Sequence, residues 1–155
     1  MPESKSTRYR VAKFRLKHFD SFKAREVQRP EIEFLFKNEE IQKFWIFVMP
    51  VFTLFANEEP ILIYGMQNSG SGTYYPMVYA AEGIDKHVRA VIRCLYDYAE
   101  KFVNTDVRRF EAYVSATDKK AIKLTKFFGF EAVGFRRQAA MDGGDQIIYE
   151  RLWRK

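Results

Sequence analysis

Cysteine is nearly absent from this 155-residue chain: Cys94 stands alone, so no disulfide can form within it. Histidine is almost as scarce. His18 and His87 are the only two, and no Cys/His set has metal-ligand spacing, so no structural zinc and no other metal is expected. Long apolar runs are missing too. The longest uncharged one, residues 44–56, contains Pro50, is too short for a membrane helix and is broken for any helix. Residues 1–10 are polar and charged and lack the apolar stretch of a secretory leader. The expectation is a cytoplasmic chain with no membrane partner. Internal repeats and low-complexity segments are also lacking.

What the sequence does contain is the mixture of a folded protein. Hydrophobic residues make up 47% and charged residues 30%, which argues against disorder. Aromatics reach 17%, with 15 Phe and 9 Tyr, so the core should be built from large flat side chains. Twenty-six basic against 20 acidic residues give a formal charge of +6, a balance that favours anionic partners. The basic residues are scattered and form no single run, which speaks against nucleic acid. So does the placing of most Phe at helix-face or strand-core positions, where burial competes with base stacking.

The patterning predicts a strand over residues 8–16, a helix from Asp20 to about Val27, and a second helix begun by Pro30. The apolar set of this second helix is Ile32, Leu35 and Phe36, followed by Ile41, Phe44 and Trp45. Two β-rich runs, 51–56 and 61–66, flank four turn-forming residues, Asn57-Glu-Glu-Pro60, and read as a hairpin. A flexible turn, Asn68-Ser-Gly-Ser-Gly72, leads into a strand over 73–80. Pro76 inside that strand predicts a bulge or splay, because proline cannot donate to a ladder.

The helix expected over 85–103 has the clearest pattern. Val88, Val91, Ile92, Leu95, Ala99 and Phe102 share one face, and Arg89, Arg93, Asp97, Glu100 and Lys101 share the other. A strand over 109–115 follows. Thr117 or Asp118 then caps a helix with Ala121, Leu124, Thr125 and Phe128 inward, and Gly129 ends it in a left-handed cap. Strands over 130–137 and 145–153 close the chain around Asp142-Gly-Gly-Asp145. Hairpins early and helical crossovers late imply a mixed, twisted α/β sheet of about six or seven strands with helices on both faces.

This order resembles the GNAT acetyltransferases, most sharply over Asp118-Lys-Lys-Ala121-Ile-Lys-Leu124-Thr125-Lys-Phe-Phe-Gly129-Phe130. The family often has Asn, two residues, Ala, two residues, Leu-Tyr, three residues and Gly-Phe at this point. Ala121, Leu124, Gly129 and Phe130 match, while Asp118 stands for the Asn and Thr125 for the Tyr. The resemblance implies one GNAT-like domain over 7–155 behind a polar tail at 1–6. It also implies a coenzyme A thioester held along the splay between the fourth and fifth strands.

The family holds the coenzyme pyrophosphate on a Gln/Arg-x-x-Gly-x-Gly/Ala loop at the start of the next helix, through backbone N–H groups and the helix dipole. Here Ile84-Asp85-Lys86-His87-Val88-Arg89 occupies that place without either glycine. Lys86, His87 and Arg89 could supply a side-chain clamp instead, or be ordinary solvated charges. The cofactor-binding residues that the resemblance implies are Tyr79, Ala81, Lys86, His87, Val88 and Arg89, with Asp118 and Thr125 on the later helix. For catalysis, the Tyr at the Thr125 position is the family's usual proton donor to the leaving thiolate. Thr has no comparable acidity, so Tyr79 or Tyr113 would have to replace it, and Glu82 is the candidate base by position.

Two functions follow. One is an acetyl-CoA-dependent N-acyltransferase whose partners are the thioester and an amine of unknown identity. The other is a catalytically silent module. For that alternative, the Arg/Asp/Glu-rich first helix and Gly-poor loop are similar to acetyltransferase-like proteins of tailed bacteriophages, including an internal virion protein, whose partner would be a phage or host protein. In that case the location would be the host cytoplasm or the virion.

Overall fold

The β-rich runs pair into a seven-stranded mixed sheet in the order β1-β2-β3-β4-β5-β7-β6. Its strands are β1 (Tyr9–Lys13), β2 (Phe52–Ala56), β3 (Glu59–Asn68), β4 (Thr73–Ala80), β5 (Arg109–Ser115), β6 (Glu131–Arg136) and β7 (Gln146–Leu152). The helices are α1 (Arg29–Lys37), α2 (Glu39–Phe47), α3 (Val88–Phe102) and α4 (Lys119–Phe127). The computed structural model describes residues 6–103 and 106–153, so all but the last residue of the tail expected at 1–6 lies outside it. The chain divides into two compact units, residues 1–65 with 78–102, and residues 66–77 with 103–155.

The first unit is organised around β2 and β3, which are buried on both sides. Val51, Leu54, Leu62 and Ile63 are each 2% exposed or less. Continuous burial of this kind needs cover on both faces, and a near-continuous apolar sequence satisfies it. Phe52 turns to one face, where it meets Tyr98 and Phe102 of α3. Thr53 and Phe55 turn to the other, where His18 lies beside both. Phe14 there packs edge-on to Phe19 and Trp45, with ring centroids 5.1 and 5.6 Å apart, which ties α2 to the sheet.

Several expected elements differ. The helix expected over 20–27 does not form; short 3₁₀ turns at Leu16–Ser21 and Glu26–Gln28 flank an extended piece. In that piece Ala24 bridges Ala81 in antiparallel fashion, so its backbone finds partners in β4 and not in a helix. The single helix expected from Pro30 is two, because Asn38 leaves helical geometry and its Oδ1 accepts from the Ile41 N–H of α2 at 3.3 Å. The turn of the β2–β3 hairpin is Asn57-Glu58 alone, both with positive φ (48° and 67°). Glu59 and Pro60 belong to β3, and Pro60 is tolerated beside the register shift that falls between Leu54 and Phe55. On α3 the buried residues are Val91, Cys94 and Tyr98, while Val88, expected inside, is 48% exposed. Polar termini on Cys94 and Tyr98 hid this stripe; the thiol donates to Tyr64 Oη and the phenol to Pro50 O.

In the second unit β5 pairs antiparallel with β7, and β7 with β6. Tyr74, Val107 and Phe110 form its small core, with Met66, Val103 and Phe130 packed against them. Gly72 is required there: at φ +82° a Cβ would lie 2.8 Å from Asp106 O. The parallel ladder from β4 to β5 consists of Thr73–Arg109 and Tyr74–Phe110. It stops two residues before Pro76, the departure that the proline predicts.

His18 is 8% exposed, and its Nδ1 accepts from the Arg15 N–H at 3.2 Å and faces Thr53 Oγ1 at 2.9 Å. An accepting Nδ1 requires the neutral ring with its proton on Nε2. Burial, followed by the charges of Lys17, Arg15 and Arg10, holds its pKa below the ordinary 6.5. The unfolded chain therefore binds the proton more readily. The contribution is complete above about pH 6.5 and is lost as pH falls through the depressed folded value. Thermal unfolding should show stability falling below that pH, and His18→Gln should flatten the fall; an equally steep fall in the variant would refute the assignment.

Candidate functional site

The end of β4, the turn after it and the first residues of α3 carry six of the residues expected to bind cofactor, all within the first unit. Tyr79 is 5% exposed, stacks on Trp45 and donates its hydroxyl to Glu31 Oε1 at 2.7 Å. Burial first, and then the Glu31 carboxylate, push the phenol well above its ordinary pKa, and its proton is committed inward. Ala81 is buried and donates its N–H to Ile61 O of β3 at 2.9 Å. Glu82 is half-exposed and ion-paired with Arg29, the first residue of α1.

Gly83 follows with φ +75°, and a Cβ there would meet nothing within 4 Å. It turns the chain from β4 into a 3₁₀ turn, Ile84–His87, ahead of α3. Lys86 and His87 thus precede the α-helix and are not in its first turn; Val88 and Arg89 open it. Lys86 and Arg89 are exposed to solvent. His87 is half-buried, with Nδ1 2.9 Å from Tyr9 Oη and the two rings edge-on, so it pins the turn to β1. The junction therefore offers a glycine turn, the N-terminus of a 15-residue helix and two outward cations, features that suit a phosphate-bearing ligand.

The other two expected residues lie on α4 in the second unit. Asp118 is 5% exposed and caps the helix, its Oδ1 accepting from the Ala121 N–H at 3.1 Å. Thr125 donates its hydroxyl to Ala121 O at 2.7 Å, a bond one turn back along its own helix. Tyr113 on β5 is 41% exposed, stacks on Tyr75 and lies under the Arg136 guanidinium at 4.6 Å. Its hydroxyl donates to Glu111, which raises its pKa, with burial second. Glu111 also pairs with Arg109, whose Nε lies 3.2 Å from Glu150 Oε2, at ion-pair distance without hydrogen-bond alignment. Among the described residues, no group of three or more His, Cys, Asp or Glu is placed to hold a metal ion. No helix among them is long and apolar enough to cross a membrane.

Sequence reasoning missed two participants at the β4 end. Gly83 stands one residue before the loop searched for glycine, and its position directly after a strand could have drawn attention. Gln28 makes two hydrogen bonds to β4, and nothing in its local sequence marks it.

Comparison with solved structures settles the architecture. The fold is the GNAT fold. Ard1 from Thermoplasma volcanium superposes with a TM-score of 0.73 at 8% identity, covering 95% of this chain and 99% of that one. A GNAT-family acetyltransferase from Streptococcus pneumoniae gives 0.66 at 13% identity, with 94% and 99% covered. The ribosomal-protein-S18-alanine N-acetyltransferase from Escherichia coli gives 0.60 at 17% identity, with 94% of each chain covered. The family model for the acetyltransferase (GNAT) domain matches residues 77–148, from the end of β4 into β7. That match supports the GNAT acetyltransferase family, and the neighbours show its fold. No curated protein sequence matches the chain.

The Arg29–Glu82 pair is half-exposed on both sides, so its loss should cost less than about 1 kcal/mol of stability. Urea unfolding of Glu82→Gln should therefore resemble that of the wild type. A large loss of acetyl transfer at that unchanged stability would mark Glu82 as the base; unchanged transfer would remove it from the chemistry.

Proposed function

We propose that the chain is an acyl-CoA-dependent N-acyltransferase, with acetyl-CoA as donor and an amine as acceptor, working in the cytoplasm. The observation that carries this reading is the GNAT acetyltransferase match over residues 77–148. The turn at Gly83 and the outward Lys86 and Arg89 at the start of α3 support it, because they suit the coenzyme's phosphates. The two cations substitute for the missing loop glycines. His87 serves the site by anchoring the turn through Tyr9.

The reaction is direct attack of the amine nitrogen on the thioester carbonyl. A C–N bond forms, the C–S bond breaks, the amine gives up a proton and the thiolate takes one. Glu82 is the carboxylate just after β4 suited to receive that proton, and its ion pair with Arg29 holds it at the turn. The donor to the thiolate is harder to supply from this chain. Thr125 and Tyr79 both spend their hydroxyl protons on internal acceptors, Ala121 O and Glu31. Solvent water is the donor that fits these commitments.

Those same commitments favour one alternative, a catalytically silent GNAT-like module used in assembly or partner binding, as in a phage structural or virion protein. The two readings part on ligand binding. Calorimetric titration with acetyl-CoA, with coenzyme A alongside, should give micromolar affinity, about −8 kcal/mol. The double variant Lys86→Ala/Arg89→Ala should weaken it. Absence of heat at millimolar ligand would overturn the enzyme reading and leave the silent module.

A further inference from the structure

Residues 23–28 have little regular structure, yet their polar groups converge on one line of backbone. Along β4 and just beyond it, the main-chain groups of residues 78, 80 and 82 point to one edge and those of 79 and 81 to the other. The Ala81 N–H donates to Ile61 O, so the odd-numbered edge faces β3. The even-numbered edge is filled by the chain itself. Gln28 Nε2 donates to Val78 O at 2.9 Å, and the Ala80 N–H donates to Gln28 Oε1 at 2.9 Å. The Arg25 N–H donates to Ala80 O at 3.1 Å, and the Glu82 N–H donates to Lys23 O at 2.8 Å. Ala24 and Ala81 form the antiparallel bridge among these bonds, and Arg29 Nε ties Ala24 O to α1 at 3.2 Å.

The Gln28 carboxamide uses its donor and its acceptor as a peptide group of a paired strand would. That edge of β4 is therefore built to receive an amide. The pantetheine arm of an acyl-CoA is an extended chain carrying two secondary amides, and the same two backbone groups, Val78 C=O and Ala80 N–H, fit one of them. We infer that residues 23–28 form a strap over the amide-binding edge of β4, and that an acyl-CoA loads by displacing the Gln28 carboxamide. The inference rests on the acyltransferase reading above. Displacement trades two neutral hydrogen bonds for two others, while the Lys23 and Arg25 backbone bonds keep the strap anchored. The strap thus sets donor affinity, because ligand binds only the fraction of molecules in which the edge is open.

The test is acetyl-CoA titration of the wild type, Gln28→Ala and Arg25→Pro, with thermal unfolding to establish that each is folded. Arg25 has φ −56°, which proline adopts, so that substitution deletes the donor to Ala80 O without bending the chain. Removing the competing carboxamide should tighten binding by about tenfold, and Arg25→Pro by a smaller factor. In ¹⁵N-labelled wild type, saturating acetyl-CoA should move the Gln28 side-chain NH₂ signals to solvent-exposed positions while the Ala80 amide stays protected. Equal affinities with unmoved Gln28 signals would overturn the strap and leave the acyltransferase reading intact. Weaker binding by Gln28→Ala would also overturn it, making Gln28 a support of the site and not its competitor. If no form binds at millimolar ligand, the acyltransferase reading falls and the strap falls with it.

Discussion

The structure turns on how β4 satisfies its backbone once its ladder to β5 stops. A strand edge inside a protein cannot be left without partners, because each unpaired buried N–H or C=O costs about 1–3 kcal/mol. The parallel ladder ends at Tyr74, yet β4 continues to Ala80. Over its last residues the partners come from much earlier in the chain, through Lys23, Arg25 and Gln28. This one requirement explains why residues 20–27 do not form the helix their sequence allows. It also explains why α1 begins where it does, with Arg29 reaching Ala24 O and Glu82.

Around that edge, the energetically heavy contacts and the chemically suggestive ones are different sets. Stability in the first unit comes from aromatic burial on the two faces of β2 and β3: Phe14, Phe19 and Trp45 on one, Phe52, Tyr64, Tyr98 and Phe102 on the other. A buried aromatic of this size is worth several kcal/mol. Arg29–Glu82 and Arg10–Glu58 are exposed pairs and add little. The turn before α3 is held by backbone geometry and by the Tyr9–His87 contact. Lys86 and Arg89 keep their charge turned to solvent.

Much of the fold was legible because its determinants are local. The strands over 73–80 and 109–115 were read to the residue, since each is a β-rich run between clear turn residues. The cap at Gly129 was equally readable, and Asp118 was one of two expected N-caps beside Thr117: an acceptor side chain and a glycine at φ +81° each act on nearby residues. What was not legible depends on distant partners. The bridge from Ala24 to Ala81 spans most of the first unit's sequence. The split at Asn38 turns on a side chain choosing a cap over helix continuity. The inner stripe of α3 was displaced because Cys94 and Tyr98 carry polar atoms whose acceptors, Tyr64 Oη and Pro50 O, are far away in sequence.

The candidate site divides along the same line. Lys86 and Arg89 were expected as cations in a helix's first turn; both face solvent, but only Arg89 lies in α3, because Lys86 belongs to the 3₁₀ turn before it. Tyr79 and Thr125 could not be judged from sequence, because a hydroxyl's usefulness depends on where its proton already goes. In Tyr79 it goes to Glu31, 48 residues away, and in Thr125 to the carbonyl one turn back. A donor so engaged must break a bond before it can protonate a thiolate, whereas a thiol of ordinary acidity leaves with help from water alone. The missing tyrosine thus bears on rate more than on whether transfer is possible. Whether an acyl donor can lie on β4 at all is the prior question, and under the strap proposed above the Gln28 carboxamide on Val78 and Ala80 decides it.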